Sequence, residues 1–245
     1  MPTEKYQKVK KFLKENVNFL ENTSGGGEMV NLPDYEIHPR EFLEYAEAEL
    51  SDLKSNKSIV NCISNLKRAV DSQIDIFFYA LNILSIYKKR KLGIDKKLGF
   101  IEKCGIFSKY SLSRINTIRN KLEHQYKVPK IEDIYVYFDL VSAFITVLEV
   151  RLDVAGNNCE IEFDINEISN DDEQSVITIG ELTTKYDPKK CTHIIHWKKK
   201  KQSQTYSADS SNLDELASFI NFHVLLLNIS NTMHGQYANS QIEKL

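Results

Sequence analysis

Apolar residues recur at helical spacing through roughly the first 150 positions of this chain, and at alternate positions after them. The first run predicts a helix over about residues 4–21, with Val9, Phe12, Leu13 and Leu20 on one side. Ser24-Gly25-Gly26-Gly27 ends it as a flexible link. Pro39 suits a first helical turn and opens a second helix that carries Phe42, Leu43, Ala46 and Leu50. The clearest signal follows: Ile59, Ile63, Leu66, Val70, Ile74, Phe77, Leu81 and Leu84 step by three and four residues. Lys88-Lys89-Arg90-Lys91 at its end complements the negative pole of a helix, and Gly93 breaks it. A short helix from Asp95 to Cys104 stops at Gly105. The next, from about Lys109 to Tyr126, aligns Leu112, Ile115, Ile118 and Leu122, and Pro129 forces a break. A last long helix from Ile131 to about Leu152 places Ile134, Phe138, Val141, Ile145 and Leu148 inward.

After Ala155-Gly156-Asn157-Asn158 the period shortens to two. Ile161, Phe163 and Ile165 share one face of a strand over residues 159–165, and further strands are expected at 176–182, 192–198 and 204–207. Ser211 is the expected cap of a helix that turns Leu213, Leu216, Ile220, Val224 and Leu227 inward. The polar stretch from Asn231 is expected to fray. Short connections between long amphipathic helices predict antiparallel neighbours. The pattern therefore predicts an α+β chain: an antiparallel, up-and-down helical bundle followed by a small antiparallel sheet with one helix. Its expected divisions are 1–30 (helix and glycine-rich link), 31–155 (bundle), 156–232 (sheet and helix) and 233–245 (flexible tail).

Composition narrows the class. The 245 residues are 42% hydrophobic and 27% charged, an ordinary globular balance. No apolar run approaches the roughly 20 residues that span a bilayer. The lysine- and glutamate-rich start has no secretory core, so a cytoplasmic location is expected. Four scattered cysteines, Cys62, Cys104, Cys159 and Cys191, form no C-x-x-C pair and predict neither a disulfide framework nor zinc. His193 and His196, in one expected strand, point to opposite faces, against shared metal ligation. No cofactor motif is present: Gly25-Gly26-Gly27 lacks the lysine and the strand–helix context of a phosphate loop. Trp197 with Lys198 to Lys201 offers stacking and charge to a nucleic acid, but a solvated hairpin tip is the expected account. The net charge of −2 hides an asymmetry: residues 51–130 carry 17 Lys/Arg against 6 Asp/Glu, while 1–50 carry 6 against 10 and 131–245 carry 9 against 18. Such a basic block is either a solvated helical surface or a match for a polyanionic partner.

Within that block, residues 119–126 read Arg-Asn-Lys-Leu-Glu-His-Gln-Tyr. A permanently charged guanidinium and an imidazole that can shuttle protons suit chemistry on a phosphodiester. On a helix Asn120 and His124 share a face, whereas Arg119 and His124 diverge by about 140°. They converge on one phosphate only if the helix ends near His124 or a second copy supplies the other half. The plainer account is a surface helix with Arg119 and Glu123 as an i,i+4 ion pair.

The pattern R-N-x-x-x-H, late in an antiparallel helical bundle, resembles the signature of the HEPN superfamily. With Tyr126 it is similar to the R-x4-H-x-Y form of HEPN toxins paired with a minimal nucleotidyltransferase antitoxin. The resemblance covers about residues 39–152. It implies a metal-independent endoribonuclease in a toxin–antitoxin or anti-phage defence setting, with RNA as substrate and two protomers facing each other across one cleft. It implies His124 as general acid or base on a ribose 2′-hydroxyl, Arg119 as the phosphate-neutralising group and Asn120 as an orienting one. Tyr126 is similar to the tyrosine that the antitoxin modifies, or is simply a packed aromatic at the helix end. Asp71 and Asp75, on the third helix, match a position where superfamily members place a polar residue beside the motif. The alternative is structural pairing with Arg68 or Arg119. The alternative function is a non-catalytic HEPN-like RNA-binding or dimerisation module. An unrelated helical adaptor is the third option.

Overall fold

The structure, a computed structural model, describes residues 3–51, 55–108, 110–111, 113–114, 117, 120–121, 131–168, 175–232 and 235–245. It is a mixed α+β chain with a five-stranded antiparallel sheet. Two compact units form. One comprises residues 1–30, 103–105 and 153–245, and the other residues 31–102 and 106–152. Among the described residues no helix is long and apolar enough to cross a membrane.

The sheet-bearing unit begins with α1 (Glu4–Asn16), capped by the Thr3 hydroxyl, which accepts from the Tyr6 amide. The helix stops short of Leu20. After a 3-10 turn over Val17–Phe19 the chain extends into β1 (Leu20–Gly26), where a flexible link was expected. β1 pairs antiparallel with β2 (Glu160–Ile168), Leu20 against Ile165 and Gly25 against Ile161, with a bulge between Asn22 and Ser24. A Cβ on Gly27 would overlap the Gly156 carbonyl, so this close backbone passage needs glycine. β3 (Val176–Asp187), β4 (Thr192–Lys199) and β5 (Gln202–Asp209) complete a meander in the order β1-β2-β3-β4-β5.

Alternation fixes which face is buried. Cross-strand rows Phe163–Leu182–Trp197, Ile161–Thr184–Ile195 and Tyr186–His193–Ala208 point inward. α7 (Leu213–Thr232) covers them with Leu216, Phe219, Ile220 and His223. Its N-cap is Asn212, whose Oδ1 accepts from the Glu215 amide, rather than Ser211. Trp197 departs from its expected place at a solvated tip: it is 7% exposed and stacked on Phe12, ring centroids 4.1 Å apart. Alternation carries its ring inward, and only Lys200 and Lys201 form the turn. The outer face is polar, with Glu160 paired to Lys185 and His196 bonded to Thr205. The polar stretch near the C-terminal end also folds. α8 (Gly235–Lys244) buries Ala238 and Ile242, and Leu245 accepts a hydrogen bond from the Tyr6 hydroxyl at 2.5 Å. Those two apolar residues, four apart, give the helix enough of a stripe to dock on α1.

The other unit is helical. Pro39 opens α2 (Pro39–Leu50), with Glu41 accepting from the His38 amide at 2.8 Å. α3 (Asn56–Ala80) is capped by Ser55 and buries Ile59, Ile63, Leu66, Val70, Ile74 and Phe77. The periodic run does not continue as one helix to Leu84. Asn82 adopts φ 55° and the Ile83 amide returns to the Phe78 carbonyl, a left-handed C-terminal cap. α4 (Leu84–Lys89) ends in the same way at Lys91, with φ 51°. α5 (Ile94–Lys103) follows, and the described residues between 110 and 121 are helical. α6 (Ile131–Val150) packs with α2 on α3. Its core residues are Ile134, Tyr137, Val141, Phe144, Ile145 and Leu148; Phe138, expected inside, is only half-buried.

Ile242→Ala tests the docking of α8. It should destabilise the sheet-bearing unit by about 2–4 kcal/mol, measured as a shift of the urea midpoint at unchanged m-value. A shift below about 0.5 kcal/mol would mean that the segment does not pack there.

Candidate functional site

Arg119, His124 and Tyr126 lie outside the described residues. Asn120 and its neighbour Lys121 are helical and exposed. Tyr110, Arg114 and Thr117, which precede them in the chain, are also helical and exposed, Tyr110 to 86%. Steps of four, three and four residues bring Tyr110, Arg114, Thr117 and Lys121 within about 60° of one another around a helix. Thr117 directs its hydroxyl back to the Ser113 carbonyl at 2.8 Å. The result is a solvent-facing stripe of one aromatic ring and two cations that ends beside Asn120. It was not singled out in the sequence, although the i, i+4, i+7, i+11 spacing was there to be found.

Asp71 and Asp75 sit elsewhere in the helical unit, on an open groove of about 530 Å³ lined by Asp34, Tyr35, Glu36, Ile37, Arg68, Asp71, Ser72 and Asp75. The segment before α2 supplies the first four residues and α3 the rest. Asp75 does not pair with Arg68. It accepts from Lys97 of α5 at 2.5 Å, and both side chains are largely buried. Arg68 instead donates to the Asn65 side chain at 3.3 Å. Burial, with the charge of Asp75 behind it, raises the Tyr35 phenol above its usual range and keeps it neutral. Beyond the Asp75–Lys97 pair the lining carries Asp34, Glu36 and Asp71 beside Arg68, so it is more acidic than basic.

The remaining candidates are structural. His193 is fully buried and His196 lies on the opposite face, as alternation requires. Among the described residues no group of three or more histidine, cysteine or carboxylate side chains is placed to hold a metal ion. All four cysteines are free. Burial raises each thiol, that of Cys62 to about 12, so none is a ready thiolate nucleophile at neutral pH. His223, which periodicity places near a core stripe, is buried and bonded to the Thr184 hydroxyl and to the Asn158 carbonyl.

Comparison with protein-family models, with curated proteins and with solved structures returns no match. The functional argument therefore rests on the residues themselves.

A double-mutant cycle checks the groove. Asp75→Ala should cost about 1–3 kcal/mol, because it strands the Lys97 ammonium in a largely buried position. Adding Lys97→Met should recover part of that loss, and strictly additive effects in urea unfolding would show that the pair is not coupled.

Proposed function

We propose that the chain is a metal-independent endoribonuclease of HEPN type that works as a homodimer in a toxin–antitoxin or anti-phage defence setting. The observation that supports this most directly is the stripe of Tyr110, Arg114, Thr117 and Lys121 leading to Asn120 and the R-N-x-x-x-H motif. An exposed ring stacks on an unpaired base, and flanking cations track a phosphate backbone. The surplus of positive charge over residues 51–130 supplies the long-range attraction for such a polymer. The packing of α2, α3 and α6 is compatible with a HEPN bundle.

The chemistry is transesterification. His124 of one protomer removes the proton from a ribose 2′-hydroxyl, and the freed oxygen attacks the adjacent phosphorus. The P–O5′ bond breaks as the new P–O2′ bond forms. His124 of the other protomer returns a proton to the departing 5′-oxygen. Arg119 neutralises the charge that builds on the phosphorane, and Asn120 orients a phosphate oxygen. The products are a 2′,3′-cyclic phosphate and a 5′-hydroxyl. Asp71 and Asp75 would act as counter-charges to basic groups, since their groove is more acidic than basic. In a paired system Tyr126 would be the site of silencing by a nucleotidyltransferase.

The second reading is a non-catalytic HEPN-like RNA-binding module. The stripe favours it too, because stacking and charge alone give binding. The two separate by mutation. Arg119→Ala and His124→Ala should each lower RNA cleavage by about 10²–10⁴-fold while binding persists, and in cells they should relieve growth arrest. Wild-type RNA cleavage by both variants would refute the assignment, and binding without any cleavage by the wild type would favour the module.

The stripe makes its own prediction. Tyr110→Ala should weaken single-stranded RNA binding by about 1–3 kcal/mol. Arg114→Ala with Lys121→Ala should flatten the salt dependence, log K against log salt, by about 1.4 for the pair. Fluorescence anisotropy across a salt series reads both effects.

A further inference from the structure

The sheet-bearing unit holds two imidazoles that none of this chemistry uses. His193 on β4 and His223 on α7 are both 0% exposed, their ring centroids 5.3 Å apart. The Thr184 hydroxyl on β3 lies between them, 3.2 Å from His193 Nε2 and 3.0 Å from His223 Nδ1. His223 Nε2 is 2.8 Å from the Asn158 carbonyl.

Those distances fix the direction of every proton for neutral rings. A carbonyl only accepts, so His223 Nε2 carries a hydrogen and its Nδ1 is bare. The bare Nδ1 takes the Thr184 hydroxyl proton. The hydroxyl oxygen then accepts from His193 Nε2–H. His193 Nδ1 is left as a bare acceptor, and it has no hydrogen-bond partner among the described residues. A proton added to His193 therefore arrives at Nδ1, where no acceptor meets it. That site is fully buried.

The groups that face His193 offer no compensating charge. Tyr186 on β3, 6.4 Å from His193 ring to ring, is held neutral by burial. Cys104 and Cys191, which act on Tyr186, are held as thiols by burial. Asp187 acts on Tyr186 and Cys191. Ala208 is the β5 partner of His193, Thr192 and Ile194 flank it on β4, and Phe219 of α7 packs edge-on against it. Among the described residues the one charge that acts on His193 is that of His223, which is of like sign.

We propose that the Thr184-bridged histidine pair is an acid-released latch between α7 and the sheet, closed while the His193 ring is neutral and opened when it is protonated. Burial first, and then the like charge of His223, holds His193 well below the usual imidazole range. The folded unit thus binds fewer protons than the unfolded chain. Stability is complete above the unfolded value near ~6.5 and declines as the pH falls below it, until the folded ring itself takes the proton.

Hydrogen exchange of the α7 amides in the full chain, corrected for intrinsic rates, reads the latch between pH 8 and 5. Below about pH 6 the wild type should open about tenfold more for each pH unit. His193→Gln keeps an N–H donor toward Thr184 but cannot charge, so the share of the slope that His193 supplies is lost and its opening should rise less steeply over that range. Equal pH slopes for the two proteins would overturn the proposal. Should His193→Gln fail to fold, the His193 ring signals of the wild type decide instead. No titration near pH 6.5 in the folded protein supports the latch, and an ordinary titration there with α7 still protected overturns it.

Discussion

The sheet-bearing unit depends on one backbone pairing, that of β1 with β2. It joins residues 138 positions apart, as between the Ser24 hydroxyl and the Glu162 carboxylate at 2.7 Å. Closing so long a loop costs little more than closing a short one, because the entropy grows only with the logarithm of loop length. A whole helical unit can therefore be threaded between the two strands. Once β1 is in place, α1 lies over the inner face of the sheet. Phe12 stacks on Trp197, Asn16 accepts from Lys199 at 2.7 Å, and α8 finds a partner in α1.

Periodicity made most of the fold legible. The helices at 39–50, 56–80 and 131–150 and the alternation at 161–165 each carry one apolar face, the quantity a sequence displays directly. β1 was illegible because Leu-Glu-Asn-Thr-Ser-Gly-Gly buries almost no side chain: an edge strand held by backbone hydrogen bonds has no pattern to read. α8 was hidden for a related reason, since Ala238 and Ile242 are too few to signal a helix until a surface exists to receive them. The break at Asn82 depends on one residue entering the left-handed region, which the surrounding apolar steps do not reveal.

The site was legible as composition more than as geometry. Arg119, Asn120 and His124 stand out as residue types, and of these the structure describes Asn120, helical and exposed. The carboxylates of α3 proved to belong to a separate acidic groove, with Asp75 committed to Lys97, a partner 22 residues away that no local spacing indicates. The opposite faces of His193 and His196 were legible from alternation, but the histidine network was not. His193 and Thr184 meet through strand register and His223 through helix packing, so their network exists only in the fold. The helical unit thus presents both an acidic groove and a basic aromatic stripe.

The most direct test of the ribonuclease account is the chemistry of the cut ends. Purified protein should be incubated with end-labelled single-stranded RNA in excess EDTA, and the fragments resolved by mass. The account predicts 2′,3′-cyclic phosphate and 5′-hydroxyl ends, formed undiminished in the chelator. Fragments bearing 5′-phosphate and 3′-hydroxyl ends, or cleavage abolished by EDTA, would contradict it.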